Sequence, residues 1–103
     1  MAAFDIGEID DVIHGRMRLG VMAYLADAEV ADFNELKAAL NATQGNLSIH
    51  LRKLEDAGYI VIEKSFLGRK PLTQARLAEK GRKAFAAYLE AIARLVDRGD
   101  GGG

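Results

Sequence analysis

The sequence predicts a mainly α-helical domain with one small β-hairpin and a long C-terminal helix. Three observations predict it. Apolar residues recur at spacings of three and four from Ile9 to Leu54, as amphipathic helices require. Asp32, Thr43 and Gly58 punctuate that pattern where helix caps belong. After Gly58 the run Tyr59-Ile60-Val61-Ile62 turns β-branched and aromatic, and helical spacing resumes only near residue 78. At 103 residues, half of them hydrophobic, the chain suits one domain with a single modest core.

The elements follow in order. Asp10 to Ala28 reads as helical, and Gly15 marks a kink or a break into two helices. Its second half, with Leu19, Val21, Met22, Tyr24 and Leu25, is apolar around most of its circumference and belongs at the centre of the core. Ala28-Glu29-Val30-Ala31 is a short connector. Asp32, with Glu35 three residues later, forms a capping box that opens the helix Phe33–Leu40. Asn41-Ala42 makes a tight turn. Thr43 caps the next helix, its hydroxyl placed to accept from the N–H of Gly45 or Asn46. That helix runs to Ala57 and stops at Gly58. Tyr59–Ser65 is a strand, 66–70 a loop centred on Gly68, and Pro71–Leu77 the returning strand. A long helix covers Ala78–Asp97, and the glycine-rich 98–103 is a flexible tail. Residues 1–97 thus form a single domain.

Composition removes several classes of function. There is no cysteine, so disulfides and thiolate chemistry are absent. No apolar run nears the roughly 18 residues of a membrane span, and residues 1–5 lack the basic and apolar stretches of a signal peptide. A cytoplasmic protein is the default. The acidic residues lack the spacing of a catalytic pair, and no nucleophile–base signature or glycine-rich phosphate loop is present. The two histidines make no metal site, and His14 reads as structural. Neither enzyme activity nor a cofactor is expected. Net charge is −1, yet its distribution is uneven. Residues 1–43 hold three basic and eight acidic side chains, whereas 44–83 hold nine basic and four acidic. One segment is basic on an acidic body, which suits a polyanionic partner.

Two short helices joined by a tight turn (32–58), then a hairpin with a basic tip (59–77), make a winged helix-turn-helix, followed by the helix 78–97. At about 100° per residue, Leu47, Leu51 and Leu54 fall on one stripe of the second helix and pack on the core. The opposite face carries Gly45, Ile49, Arg52 and Asp56, flanked by Ser48 on one side and Asn46 and Lys53 on the other. Gly45 permits close approach to a groove, and Thr43, Gln44, Asn46 and Ser48 stand where base edges would be read. Ile49 either meets a thymine methyl or is an ordinary exposed apolar residue. His50, at the edge of the buried stripe, donates to a phosphate or bonds the local backbone. Arg52 and Lys53 suit phosphate or guanine.

Ser48-Ile49-His50-Leu51-Arg52-Lys53-Leu54-Glu55-Asp56-Ala57-Gly58-Tyr59-Ile60 resembles the S-x-H-L-x-x-L-x-x-A-G-[LY]-[IV] signature of winged-helix transcriptional regulators related to the ArsR and MarR groups. Ile13-His14-Gly15-Arg16-Met17-Arg18-Leu19 and Leu77-Ala78-Glu79-Lys80-Gly81-Arg82-Lys83-Ala84-Phe85 resemble flanking blocks of one compact subset, so the likeness covers about residues 9–90. It implies a dimeric, sequence-specific transcription factor. It implies further that Gln44, Asn46, Ser48 and His50 approach double-stranded DNA, and that Arg69 and Lys70 reach phosphate or the minor groove. Two departures matter: Ala78 replaces a capping threonine, and the cysteines and histidines of metal-sensing relatives are missing.

Along the last helix, Phe85, Tyr88, Leu89, Ile92, Leu95 and Val96 form a near-heptad seam suited to a homodimer. The competing use of that seam is packing against Ile9–Ile13 within the protomer. A dimer would set two recognition helices about 34 Å apart on an inverted repeat, as a repressor does. The alternative function is a protein-interaction or adaptor module that keeps the scaffold without binding DNA. An effector or a protein partner on the acidic half is compatible with either.

Overall fold

The computed structural model describes residues 6–101, as four α-helices and a three-stranded antiparallel sheet. A 3-10 turn, Ile6–Glu8, precedes α1 (Arg16–Ala28), β1 (Val30–Asp32), α2 (Phe33–Ala39), α3 (Gln44–Asp56), β2 (Ile60–Leu67), β3 (Lys70–Leu77) and α4 (Glu79–Gly101). The mainly α fold with a hairpin is therefore the one expected. Residues 1–5, read as no signal peptide, and 102–103, read as tail, lie outside the described residues.

Local chemistry sets the boundaries. Asp10 does not open a helix: its Oδ1 accepts the N–H groups of Val12 (2.8 Å) and Ile13 (3.1 Å), a side-chain turn that competes with helical bonding. Hence α1 starts only at Arg16, behind an extended Gly15, while Ile9 and Ile13 still enter the core. Asp32 caps α2 through the N–H of Glu35 at 2.7 Å, but the capping box is only half formed. The Glu35 carboxylate instead accepts from the Tyr24 hydroxyl at 2.6 Å, which holds that phenol above its usual pKa.

At the end of α3, Gly58 N–H donates to the Glu55 carbonyl and Tyr59 N–H to the Leu54 carbonyl. These paired bonds, with Gly58 at φ +81°, are the Schellman ending that only a residue tolerant of positive φ completes cheaply. The chain leaves this cap directly into β2.

Two readings of the sheet need correction. The connector around Val30 is a strand: Val30, Ala31 and Asp32 pair with Arg76, Ala75 and Gln74, giving the order β1-β3-β2. Three residues carry no alternation to detect, and tertiary pairing makes the strand. The hairpin is also longer than expected, because pairing continues through Phe66↔Pro71 and Leu67↔Lys70. Its loop shrinks to Gly68 and Arg69, with positive φ (+65°) at Gly68 alone, the II′ pattern of a two-residue hairpin.

Ile13, Met22, Leu25, Leu36, Leu47 and Leu54 are fully buried, and Ile60, Ala75, Leu77, Tyr88 and Ala91 join them. Val21, Met22 and Leu25 put α1 at the centre of this cluster, as its apolar circumference requires. The helix α4 continues four residues past the expected end at Asp97, to Gly101, with no proline to stop it.

Candidate nucleic-acid interface

Burial of Leu47, Leu51 and Leu54 fixes the rotation of α3. The opposite face then has no choice but to look outward: Gln44, Gly45, Asn46, Ser48, Ile49, Arg52 and Lys53 are all exposed. Thr43 Oγ1 accepts the N–H of Asn46 at 3.1 Å, so the cap takes one lone pair and leaves the O–H as a donor. A methyl built on Gly45 would have no neighbour within 4 Å, so the outer side of that turn of α3 is open. Among the described residues, the side chains of Gln44, Asn46, Ser48, Arg52 and Lys53 form no hydrogen bond or ion pair.

The hairpin stands beside this face. Pairing of Ile62 with Ala75, Lys64 with Thr73 and Phe66 with Pro71 puts these residues on the sheet face shared with buried Ile60. The face borders a cleft whose other wall is Gln44, Ser48, Ile49 and Arg52 of α3. Lys64 thus joins Arg52 in lining it, a role missed in the sequence although the period of two from Ile60 would have revealed it. Glu55 lies in the same cleft, and Asp32, which also borders it, is occupied by its cap. Arg69 in the turn and Lys70 beside it are exposed and, among the described residues, in no ion pair. Glu63, the hairpin's acid, faces Arg76 at 3.8 Å on the other side of the ribbon.

His50 is tied to another element. Its Nδ1 lies 2.9 Å from an Arg18 guanidinium nitrogen, and the Arg18 Nε–H donates to the Val12 carbonyl. A guanidinium only donates, so His50 Nδ1 is the acceptor and the ring proton sits on Nε2. That Nε2–H has no partner among the described residues. Burial first, then the charges of Arg18 and Lys53, hold His50 below its ordinary pKa of 6.5. The unfolded chain therefore binds more protons than the folded one just below that pH. Stability contributed by neutral His50 is present above about pH 6.5 and is lost as pH falls through the folded-state pKa. Thermal melts between pH 7 and pH 5 should show this loss, and His50→Gln, which keeps an acceptor but does not titrate, should lessen it. Parallel slopes for the two proteins would refute the assignment.

The seam on α4 divides in two. Tyr88 is 4% exposed, and its hydroxyl lies 2.8 Å from His14 Nδ1. Ala91 is also buried, and Arg94 reaches Glu8 at 2.9 Å. This side of α4 thus serves the protomer, holding the N-terminal segment through Ile9 and Ile13. Tyr88 is satisfied within its own chain, as the packing alternative required. Phe85, Ile92 and Leu95 are half-buried, while Leu89 and Val96 are 50% and 62% exposed. Leu89 and Val96 are the exposed members of an outward seam that Phe85 and Ile92, which also pack against the core, continue along the same stripe.

Residues 17–96 match a family described as a winged helix DNA-binding domain. An uncharacterised protein of Methanocaldococcus jannaschii is 37% identical over 84 residues, 82% of this chain and 91% of that protein. The structure of a transcriptional regulator homologue from Pyrococcus horikoshii superposes with a TM-score of 0.79 at 28% identity, over 84% of this chain and 85% of that one. An ArsR family transcriptional regulator shares the fold at a TM-score of 0.58 and 21% identity, over 89% and 90% of the two chains.

Proposed function

The chain belongs to the winged helix DNA-binding domain family, and on that premise we propose that it is a sequence-specific transcriptional regulator, a homodimeric repressor acting on an inverted repeat. One observation supports this reading: a full face of donors, acceptors and cations on α3 is left without a hydrogen-bond or ion-pair partner among the described residues. Such groups cost nothing exposed to water, but nothing in the fold requires them there. In the major groove they have work to do. Gln44, Asn46 and Ser48 read base edges, Thr43 and Gly45 allow the helix end to approach, and Ile49 meets a thymine methyl. Arg52, Lys53 and the His50 Nε2–H hold phosphates beside them, and Arg69 and Lys70 hold the backbone from the hairpin.

The outward seam of α4 supplies the dimer. Phe85, Leu89, Ile92 and Val96 repeat at steps of four, three and four, a coiled-coil interval. Two copies joined there present two α3 helices to successive major-groove faces about 34 Å apart. Occupying such a site across a promoter blocks transcription.

Selection from a pool of random duplexes at two salt concentrations tests the reading directly. The enriched sequences should contain an inverted repeat. With those duplexes, Asn46→Ala should cost about 1–3 kcal/mol at particular base pairs of each half-site and leave the others unchanged. An equal loss on every sequence would remove base reading from α3. Absence of any enrichment at moderate salt would remove the regulator reading altogether.

A further inference from the structure

The tip of the hairpin carries two large apolar side chains that the fold does not use. Phe66 and Leu67 are each 71% exposed, at the outer end of β2. Burying such side chains is favourable, and here most of that gain is forgone. The turn does not need them either, since Gly68 alone meets its backbone demand. An apolar tip on a free ribbon also invites edge-to-edge association. These side chains are open to a partner, and the neighbouring charge indicates its chemistry. Arg69 and Lys70 flank the tip and Lys64 stands two residues before Phe66, none of them in an ion pair among the described residues, and the hairpin's acid, Glu63, is matched by Arg76. The complement of a cationic tip is a polyanion.

We propose that the hairpin tip is a minor-groove wedge, in which Phe66 inserts against a base step while Arg69 and Lys70 hold the flanking phosphates. This rests on the DNA-binding reading above and adds a deformation to it. The geometry suits the task. A two-residue turn keeps the tip narrow, and backbone pairing up to Leu67↔Lys70 keeps it stiff. Alternation places Phe66 and Pro71 on the face that borders α3, whereas Leu67 lies on the opposite face. The wedge thus points to the side on which the recognition helix meets the duplex, and Leu67 backs it. Apolar wedges entering the minor groove unstack a base step and kink the duplex by about 20–90°. Pyrimidine–purine steps yield to this at least cost. The protein consequently selects flexible steps at the flanks of its half-sites, where no base edge is read.

Duplexes enriched from a random pool by the wild-type protein, labelled at both ends for energy transfer, supply the probe. The wild-type protein should shorten the end-to-end distance, and Phe66→Ser with Leu67→Ser should restore most of it. Affinity should fall roughly tenfold, in line with lost apolar burial, with the salt dependence unchanged because no cation is removed. Both substitutions lie at an exposed tip, and an unaltered melting temperature confirms that the variant is folded. Enriched duplexes should also carry TA or CA steps at the flanks. An unbent wild-type complex, or a variant that bends and binds like wild type, overturns the wedge while leaving the regulator intact. That result would reassign the tip to a protein partner. Failure of the wild-type protein to enrich any duplex overturns both.

Discussion

Replacing Gly81 by alanine should destabilise the domain by about 3 kcal/mol or more, lowering the melting temperature by roughly 12–24 °C. The cause is space. A methyl at this position would lie 1.9 Å from the carbonyl oxygen of Tyr59 and 2.7 Å from its carbonyl carbon. These are backbone atoms with no rotamer to change, and that oxygen also accepts the Ala78 N–H at 2.9 Å. Tyr59 is held from the other side as well: its hydroxyl donates to Asp10 Oδ2, and its N–H closes the cap of α3. Burial and then the Asp10 bond push the phenol pKa up to about 12. The first turn of α4 can retreat only by leaving the junction between α3 and the hairpin. Gly45→Ala provides the contrast, because its methyl meets nothing within 4 Å. It should raise stability by up to about 1 kcal/mol. If both variants melt together near wild type, the close approach of α4 to Tyr59 is not a feature of the folded protein.

The same junction shows why some of this molecule was legible in its sequence and some was not. Thr43, Asp32 and Gly58 act on neighbours within five residues, so their roles as caps could be read directly from spacing. The stripe Leu47, Leu51, Leu54 likewise fixes the exposed face of α3 without further information. Features that depend on distant partners were hidden. β1 exists because Ala75 lies opposite Ala31, and Asp10 forms a turn instead of a helix while also receiving the Tyr59 hydroxyl. Arg18 joins Val12 to His50 across two elements, a tie that local spacing does not reveal. Tyr88 fitted the apolar seam of α4 by spacing, and only the arrival of His14 explains why its hydroxyl is buried. At the hairpin, treating 66–70 as a loop concealed that Phe66 and Leu67 are strand residues with defined faces. Period and capping thus located the candidate interface, while long-range polar pairs determined which of its residues remain free.

Reversing the two cations of the hairpin tip, Arg69→Glu with Lys70→Glu, should weaken DNA binding by about a hundredfold or more at moderate salt. The estimate comes from counterion release. Each phosphate neutralised contributes about 0.9 to the slope of log affinity against log salt, so losing two contacts per protomer should lower that slope by about two per DNA-bound protomer. Reversal adds repulsion to this loss. The effect should be the same on enriched and random duplexes, because phosphates carry no sequence. That distinguishes it from Asn46→Ala, whose loss is confined to particular base pairs, and from the apolar tip variant, whose salt slope stays at the wild-type value. Folding should be unaffected, since both residues are exposed and neither is in an ion pair. Net charge alone must be separated from position, and Arg82→Glu with Lys83→Glu on α4 makes the same change away from the hairpin. Long-range steering would reduce association rates in both variants, but only the hairpin variant should lose slope. Equal slopes for the two variants and the wild-type protein would place the phosphate contacts elsewhere. A slope lost in the hairpin variant alone assigns them to Arg69 and Lys70 and makes the ribbon, with α3, the second half of the DNA-binding surface.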